Sequence, residues 1–301
     1  MKMKRVMGVV LVCLLMLVFA GCGQAEEPAT TESTGTQDST APSESAEPSD
    51  SANDEEEIEI IVFAAASMTE TLTEIQEMYK EVAPNVTLTF NFDSSGTLVT
   101  QIEEGADCDV FISAAQKQMD EIDSSKGEDA NPEGFDFVEQ GSRTDLLENK
   151  VTLAVPEGNP KGIENFDQLA EKLQSGEILM AMGNSDVPVG QYTQKIFDYY
   201  KLSEEELANK GVLTYGSNVK EVTTQVKEAS VDCGVIYATD AYSDGLTVVD
   251  SATPEMCGQI IYPAAVLNIS KNKEAAQAFL DFLTTDEAMA VFEGVGFSPV
   301  A

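Results

Sequence analysis

The apolar, β-branched run Ile58 to Val62 passes directly into Phe63-Ala64-Ala65-Ala66-Ser67-Met68-Thr69-Glu70, and no other junction constrains the fold as much. The run reads as a buried strand, and the Ser67 to Glu70 spacing reads as a capping box that opens a helix. A chain that turns sharply from strand to helix exposes the first backbone N–H groups of the helix, where the helix dipole adds partial positive charge. Such a turn can hold an anion. One serine is most often only a cap for its own helix, so the weight of the argument falls on whether similar turns recur.

They do. Met68 to Val82 carries apolar residues at helical spacing and stops at Pro84, and Val86 to Phe90 alternates as a strand. Asn91-Phe92-Asp93-Ser94-Ser95-Gly96-Thr97 then feeds a helix through Ile102, followed by a short strand Asp109 to Ser113 and a helix Ala114 to Ile122. A second series begins with strands at Val151 to Val155 and Ile178 to Met182 around a helix at Asn165 to Gln174. Gly183 to Gly190 makes a turn into a further helix. Val212 to Tyr215 leads through Gly216-Ser217-Asn218 into a helix from Val219, and Gly234 to Tyr237 is another strand. Strands at Leu246 to Val249 and Ile260 to Leu267 and two helices close the chain. This alternation predicts an α/β fold with mostly parallel sheets covered by helices. In such sheets ligands sit beyond the carboxyl ends of the strands. Four turns there start helices at Ser67, Ser94-Ser95, Val189-Gly190 and Asn218-Val219, and none carries Lys or Arg. The predicted pocket binds a dehydrated anion through neutral N–H and O–H donors and selects by geometry and protonation state.

Composition removes several classes of function. The chain has no His, no CxxC spacing, no G-x-S-x-G elbow and no S-x-x-K, which leaves a hydrolase without a base and a transition metal without its usual ligands. No phosphate-binding loop motif is present, so an ATPase lies elsewhere. From Ile58 onward 42 Asp and Glu face 14 Lys and Arg, a net charge of −28 that excludes a nucleic-acid surface. That charge suits a cation binder better than an anion binder, yet the acidic residues are dispersed without calcium-loop spacing. Cys108, Cys233 and Cys257 allow at most one disulfide, and the sequence leaves the pairing open.

Residues 1–21 read as a secretory signal: Lys2, Lys4 and Arg5 precede the apolar run Val6 to Ala20. Phe19-Ala20-Gly21-Cys22 resembles a bacterial lipobox, with Phe where Leu is usual and Cys22 as the lipidated residue. Residues 22–57 are then an acidic tether, poor in apolar residues and expected to stay disordered, that holds a folded domain off the outer face of a membrane.

Five motifs carry a family resemblance: Phe63-Ala64-Ala65-Ala66-Ser67, Phe92-Asp93-Ser94-Ser95-Gly96-Thr97-Leu98, Cys108-Asp109-Val110-Phe111-Ile112-Ser113-Ala114, Val187-Pro188-Val189-Gly190, and Gly234-Val235-Ile236-Tyr237-Ala238-Thr239-Asp240-Ala241. Their order is similar to that of the molybdate-binding proteins of ABC importers, over essentially all of Ile58 to Ala301. The resemblance implies a two-lobed fold of the type II periplasmic binding proteins with two crossings between lobes: residues 58–145 and 245–301 in the first lobe, 146–244 in the second. It implies a monomer without catalysis or cofactor that binds molybdate, and tungstate with it, for an ABC permease and its ATPase. Ser67 and Ser95 would supply hydroxyl and backbone donors from the first lobe. Backbone N–H groups of Val189 and Val219 and the hydroxyl of Tyr237 would come from the second, with no direct metal ligands. Gly96 stands where a third serine is frequent, Val189 where alanine is common, and Cys108 is unusual. Sulfate, phosphate or a metal cation on the same fold is the alternative.

Overall fold

The computed structural model describes residues 56–300; the signal segment, Cys22 and nearly all of the tether lie outside the described residues. The chain enters a first sheet with β1 (Ile58–Ala65), α1 (Thr69–Val82), β2 (Val86–Asp93), α2 (Ser95–Glu103), β3 (Val110–Ile112), α3 (Gln116–Glu121) and β4 (Thr144–Asn149). Lys150 alone separates β4 from β5 (Val151–Val155), which opens a second sheet. There follow α4 (Phe166–Ser175), β6 (Met180–Gly183), α5 (Pro188–Tyr200), α6 (Glu204–Lys210), β7 (Leu213–Gly216), α7 (Val219–Lys227), β8 (Cys233–Tyr237), α8 (Ala238–Ser243) and β9 (Thr247–Ser251). After α9 (Pro254–Cys257) the chain returns to the first sheet as β10 (Ile260–Val266), α10 (Lys273–Phe282), α11 (Asp286–Val295) and β11 (Ser298–Pro299).

The strand order is β11-β4-β10-β3-β1-β2 in one sheet and β7-β6-β8-β5-β9 in the other. This is the mixed α/β architecture of two helix-flanked sheets, and it corrects two finer expectations. The sheets are not mostly parallel: β2-β1-β3 and β7-β6-β8 are, but β10 and β5, the first strands after each crossing, run antiparallel to their neighbours β3 and β8. A helical crossover returns a strand parallel, whereas a strand arriving from the other lobe is free of that rule. The crossings also fall elsewhere than at residues 145/146 and 244/245. β4 reaches Asn149 within the first sheet, and β9 pairs with β5 in the second, so the return lies between Ser251 and Ile260.

The first sheet is buried on both faces, as the alternation along β1 dictates. Ile60, Val62 and Ala64 join the core that continues under α1, α10 and α11, while Phe63 points to the other side with Leu98, Ile102, Phe111 and Ile122. Register then places the functional ends. Ala65 pairs with Asp93 and Gly183 with Gly216, so in each sheet two strands end level and their following helices start side by side.

Candidate functional site

The level strand ends meet in one cavity between the lobes. Its wall takes Ala65, Ala66 and Ser67 after β1, Asp93, Ser94 and Ser95 after β2, and Ala114 after β3; the second lobe adds Val187, Pro188 and Val189, then Val219 and Tyr237. The structure therefore brings Ser67, Ser95, Val189, Val219 and Tyr237 together on one small space. It is closed down to about 10 Å³ for the centre of a water-sized sphere, about one water molecule by that measure. A larger solute enters only if the lobes part.

Each wall residue is held by a different local device. Ser67 does not cap a helix, which corrects the capping-box expectation: Ala66–Met68 form a 3-10 turn, α1 starts after Met68, and no side chain caps either. The buried Ser67 hydroxyl instead lies 2.9 Å from the Tyr262 hydroxyl. Ser94 caps α2, accepting from the Thr97 amide, and leaves Ser95 fully buried with its Oγ accepting from the Ala114 amide at 2.9 Å. α5 opens with Pro188 in its first turn and has no side-chain cap, so its first amides rely on whatever the cavity holds. α7 is capped by Asn218. Tyr237 ends β8, is 1% exposed, and its hydroxyl has no hydrogen-bond partner. Burial, then Tyr262, Tyr192 and Asp240, push that phenol well above its ordinary pKa, so it stays a neutral donor.

Asp93 also stands on the wall, a position that small and hydroxyl residues at helix starts do not point to. Its Oδ1 accepts from the Ser94 amide at 2.7 Å and, across the lobes, from Asn218 Nδ2 at 3.2 Å. Other ties ring the cavity. Lys220 of α7 donates to both carboxylate oxygens of Glu70 in α1 at 2.8 Å, and Gln118 of α3 donates to Gln191 of α5 at 3.2 Å. Gly96 faces the second lobe so closely that a Cβ there would lie 2.2 Å from the backbone oxygen of Asp186, so a serine at this position would require the lobes to shift apart. Lys220 Nζ also lies 3.1 Å from Oδ1 of Asp240, a carboxylate with no solvent exposure. Burial raises the Asp240 pKa to about 6, with Lys220 opposing.

Among the described residues no cluster of three or more Asp, Glu or Cys is placed to hold a metal ion. Cys108, Cys233 and Cys257 are free and buried, which settles the open question of a disulfide. Burial pushes all three thiols up, Cys257 to about 11 despite Lys195, so none is a ready nucleophile.

Residues 60–298 match the family described as bacterial extracellular solute-binding protein. YvgL of Bacillus subtilis (strain 168), named as a candidate ABC transporter substrate-binding lipoprotein, is 32% identical over 248 residues, 82% of this chain and 88% of that one. The molybdate-binding protein ModA of Haemophilus influenzae is 29% identical over 79% of this chain and 89% of its own length. The substrate-binding domain of a candidate molybdenum ABC transporter from Clostridium difficile superposes with a TM-score of 0.58 at 32% identity, covering 81% of this chain and all of that one. The fold reaches wider: the sulfate-binding protein SubI of Mycobacterium tuberculosis gives a TM-score of 0.62 at 19% identity, over 81% of this chain and 87% of its own. With a family match across both lobes and the cavity between them, the chain belongs to the bacterial extracellular solute-binding proteins that serve ABC transporters.

Proposed function

We propose that this protein captures molybdate, and tungstate with it, on the outer face of the cell membrane, anchored through Cys22, and delivers it to an ABC permease driven by a separate ATPase, with no catalysis of its own. The observation that carries this reading is the convergence, from both lobes, of helix starts and buried hydroxyls on one cavity whose Tyr237 hydroxyl has no protein partner. A buried hydroxyl without a partner is costly unless a ligand completes it. The wall carries no Lys or Arg, which suits a dianion bound by neutral donors that act strongly in a water-excluded site. In this reading Ser67 and Ser95 donate from the first lobe, and the amides of Val189 and Val219 and the Tyr237 hydroxyl donate from the second. The 32% and 29% identical relatives named for ABC transport and for molybdate add support.

The test is a set of calorimetric titrations of the purified protein with molybdate, tungstate, sulfate and phosphate. Molybdate and tungstate should bind one to one and far more tightly than the other two. Preference for sulfate or phosphate would move the assignment to another oxyanion, and Asp93, an acceptor on the wall, is where a proton-bearing anion would be favoured. The anchor is tested apart: Cys22→Ser should release the protein from membranes or leave an uncleaved precursor, and an unchanged membrane-bound form would refute it.

A further inference from the structure

What stands behind Ser67 and Ser95 decides where their hydrogens point. Ser95 Oγ accepts from the Ala114 amide at 2.9 Å. A backbone amide only donates, so the hydrogen of Ser95 is left for the cavity. For Ser67 the partner is the Tyr262 hydroxyl at 2.9 Å, and either oxygen of that pair can donate. The choice is made one group further back. Asn149 Oδ1 accepts from the Lys150 amide at 2.8 Å, again a group that only donates, and this fixes the orientation of the side-chain amide. Nδ2 is thereby turned to Thr239 Oγ1 at 3.0 Å and to Tyr262 Oη at 3.2 Å.

Tyr262 has no solvent exposure and accepts from Asn149. If it also accepted from Ser67, its own hydrogen would have only the neighbouring Tyr237 hydroxyl to meet, and that pair lies outside hydrogen-bond geometry, so the hydrogen would be buried without an acceptor. The Tyr262 hydrogen therefore goes to Ser67, and the Ser67 hydrogen to the cavity. Burial holds Tyr262 far above its ordinary pKa, so the hydrogen is always present.

We propose that Asn149 and Tyr262 are positioning residues, a one-way relay that keeps the Ser67 hydrogen turned into the cavity and so lets the site distinguish tetrahedral dianions by protonation, favouring bare oxygens over one that carries a hydrogen. The proposal rests on the oxyanion reading given above. Asn149 ends β4 beside Lys150, the crossing residue, and its second hydrogen bond reaches Thr239 of the other lobe. The relay is thus anchored where the lobes join.

The experiment is a titration of the full chain with molybdate and with hydrogen phosphate at mildly alkaline pH, where both carry two charges but only phosphate carries a proton. Asn149→Asp keeps the size and replaces the donor by an acceptor. The Tyr262 hydrogen then turns back, Ser67 donates to Tyr262, and the cavity meets a lone pair. Molybdate affinity should fall about tenfold or more while hydrogen phosphate holds or gains, narrowing the ratio between them. Because the added charge acts equally on two dianions, an equal loss for both overturns the relay. Should Asn149→Asp fail to fold, Tyr262→Phe is compared in the wild type and in Ser67→Ala. The relay requires a loss of about tenfold in molybdate affinity with Ser67 present and none without it; equal losses in both backgrounds mean that Tyr262 only supports the fold. A wild-type protein that binds neither anion overturns the oxyanion reading itself, whereas unchanged ratios in variants of a binding-competent protein overturn the relay alone.

Discussion

At the scale of the residue, the site is a set of hydroxyls and amides, each held within its own lobe by a separate local device. On the proposed oxyanion reading, Ser67→Ala and Ser95→Ala each remove a donor to the ligand, and each should weaken molybdate binding by roughly tenfold to a hundredfold in calorimetry. Ser67→Ala should also cost about 1 kcal/mol of stability, because the hydrogen of Tyr262 loses its acceptor. Tyr237→Phe differs in kind. Its hydroxyl has no protein partner, so affinity should drop while the melting temperature of the ligand-free protein stays level. A fall in both would place the hydroxyl in the fold instead. Asp240 provides a test by pH. Its pKa rises from 3.8 to about 6, chiefly through burial. A raised carboxyl favours the folded state when protonated, so its contribution is present at low pH and is lost as pH climbs through about 6. Relative to Asp240→Asn, the wild type should therefore lose melting temperature across that window. Parallel curves for the two proteins would show that Lys220 fully compensates the buried charge.

At the scale of the element, the glycines separate what belongs to a lobe from what belongs to closure. A Cβ at Gly190 would sit 2.2 Å from the Asn184 oxygen and 2.4 Å from the Gly183 oxygen, all within the second lobe. Gly190→Ala should thus lower the melting temperature. A Cβ at Gly96 would meet Asp186 across the cleft, so Gly96→Ala should spare the ligand-free protein and weaken binding by holding the lobes apart. The reverse pattern of thermal shifts would contradict the assignment of these contacts. The strand-turn-helix units were legible because each carries its own periodicity and turn chemistry: β1, β2, β6 and β7 and the helices after them fall where the sequence put them. β4 was not legible, since Thr144 to Asn149 mixes Asp and Glu with two leucines and its partners, β10 and β11, lie more than a hundred residues away. The five wall residues were legible through their motifs, but Asn149 and Tyr262 were not, as nothing local marks a residue whose role is to hold another. Ser67 was misread as a cap for the same reason: the bond that replaces the cap spans 195 residues.

At the scale of the whole molecule, two properties oppose each other. From Ile58 onward the chain carries −28, which repels a dianion at a distance, whereas the proposed site would hold it by neutral donors once it arrives. Salt screens the first and not the second, since the Debye length is about 10 Å at 0.1 M and the cavity excludes water. Association of molybdate in stopped-flow should therefore quicken as salt is added, while dissociation changes little; a rate that falls with salt would mean a local positive field steers the anion. Closure follows from the cavity itself, whose donors come from two lobes and whose space is about that of one water molecule. A ligand that binds only the closed form shifts the population toward it and stabilises the protein by mass action. The ties Glu70–Lys220 and Asp93–Asn218 should form with it, and the partly exposed Glu70–Lys220 pair contributes about 1 kcal/mol or less. The most direct measurement is small-angle scattering of the purified protein with and without saturating molybdate, read beside a calorimetric titration of the same sample. One-to-one binding with a smaller radius of gyration is expected, whereas molybdate that binds without compaction, or compaction absent because no molybdate binds, would contradict a cavity assembled by two lobes around one oxyanion.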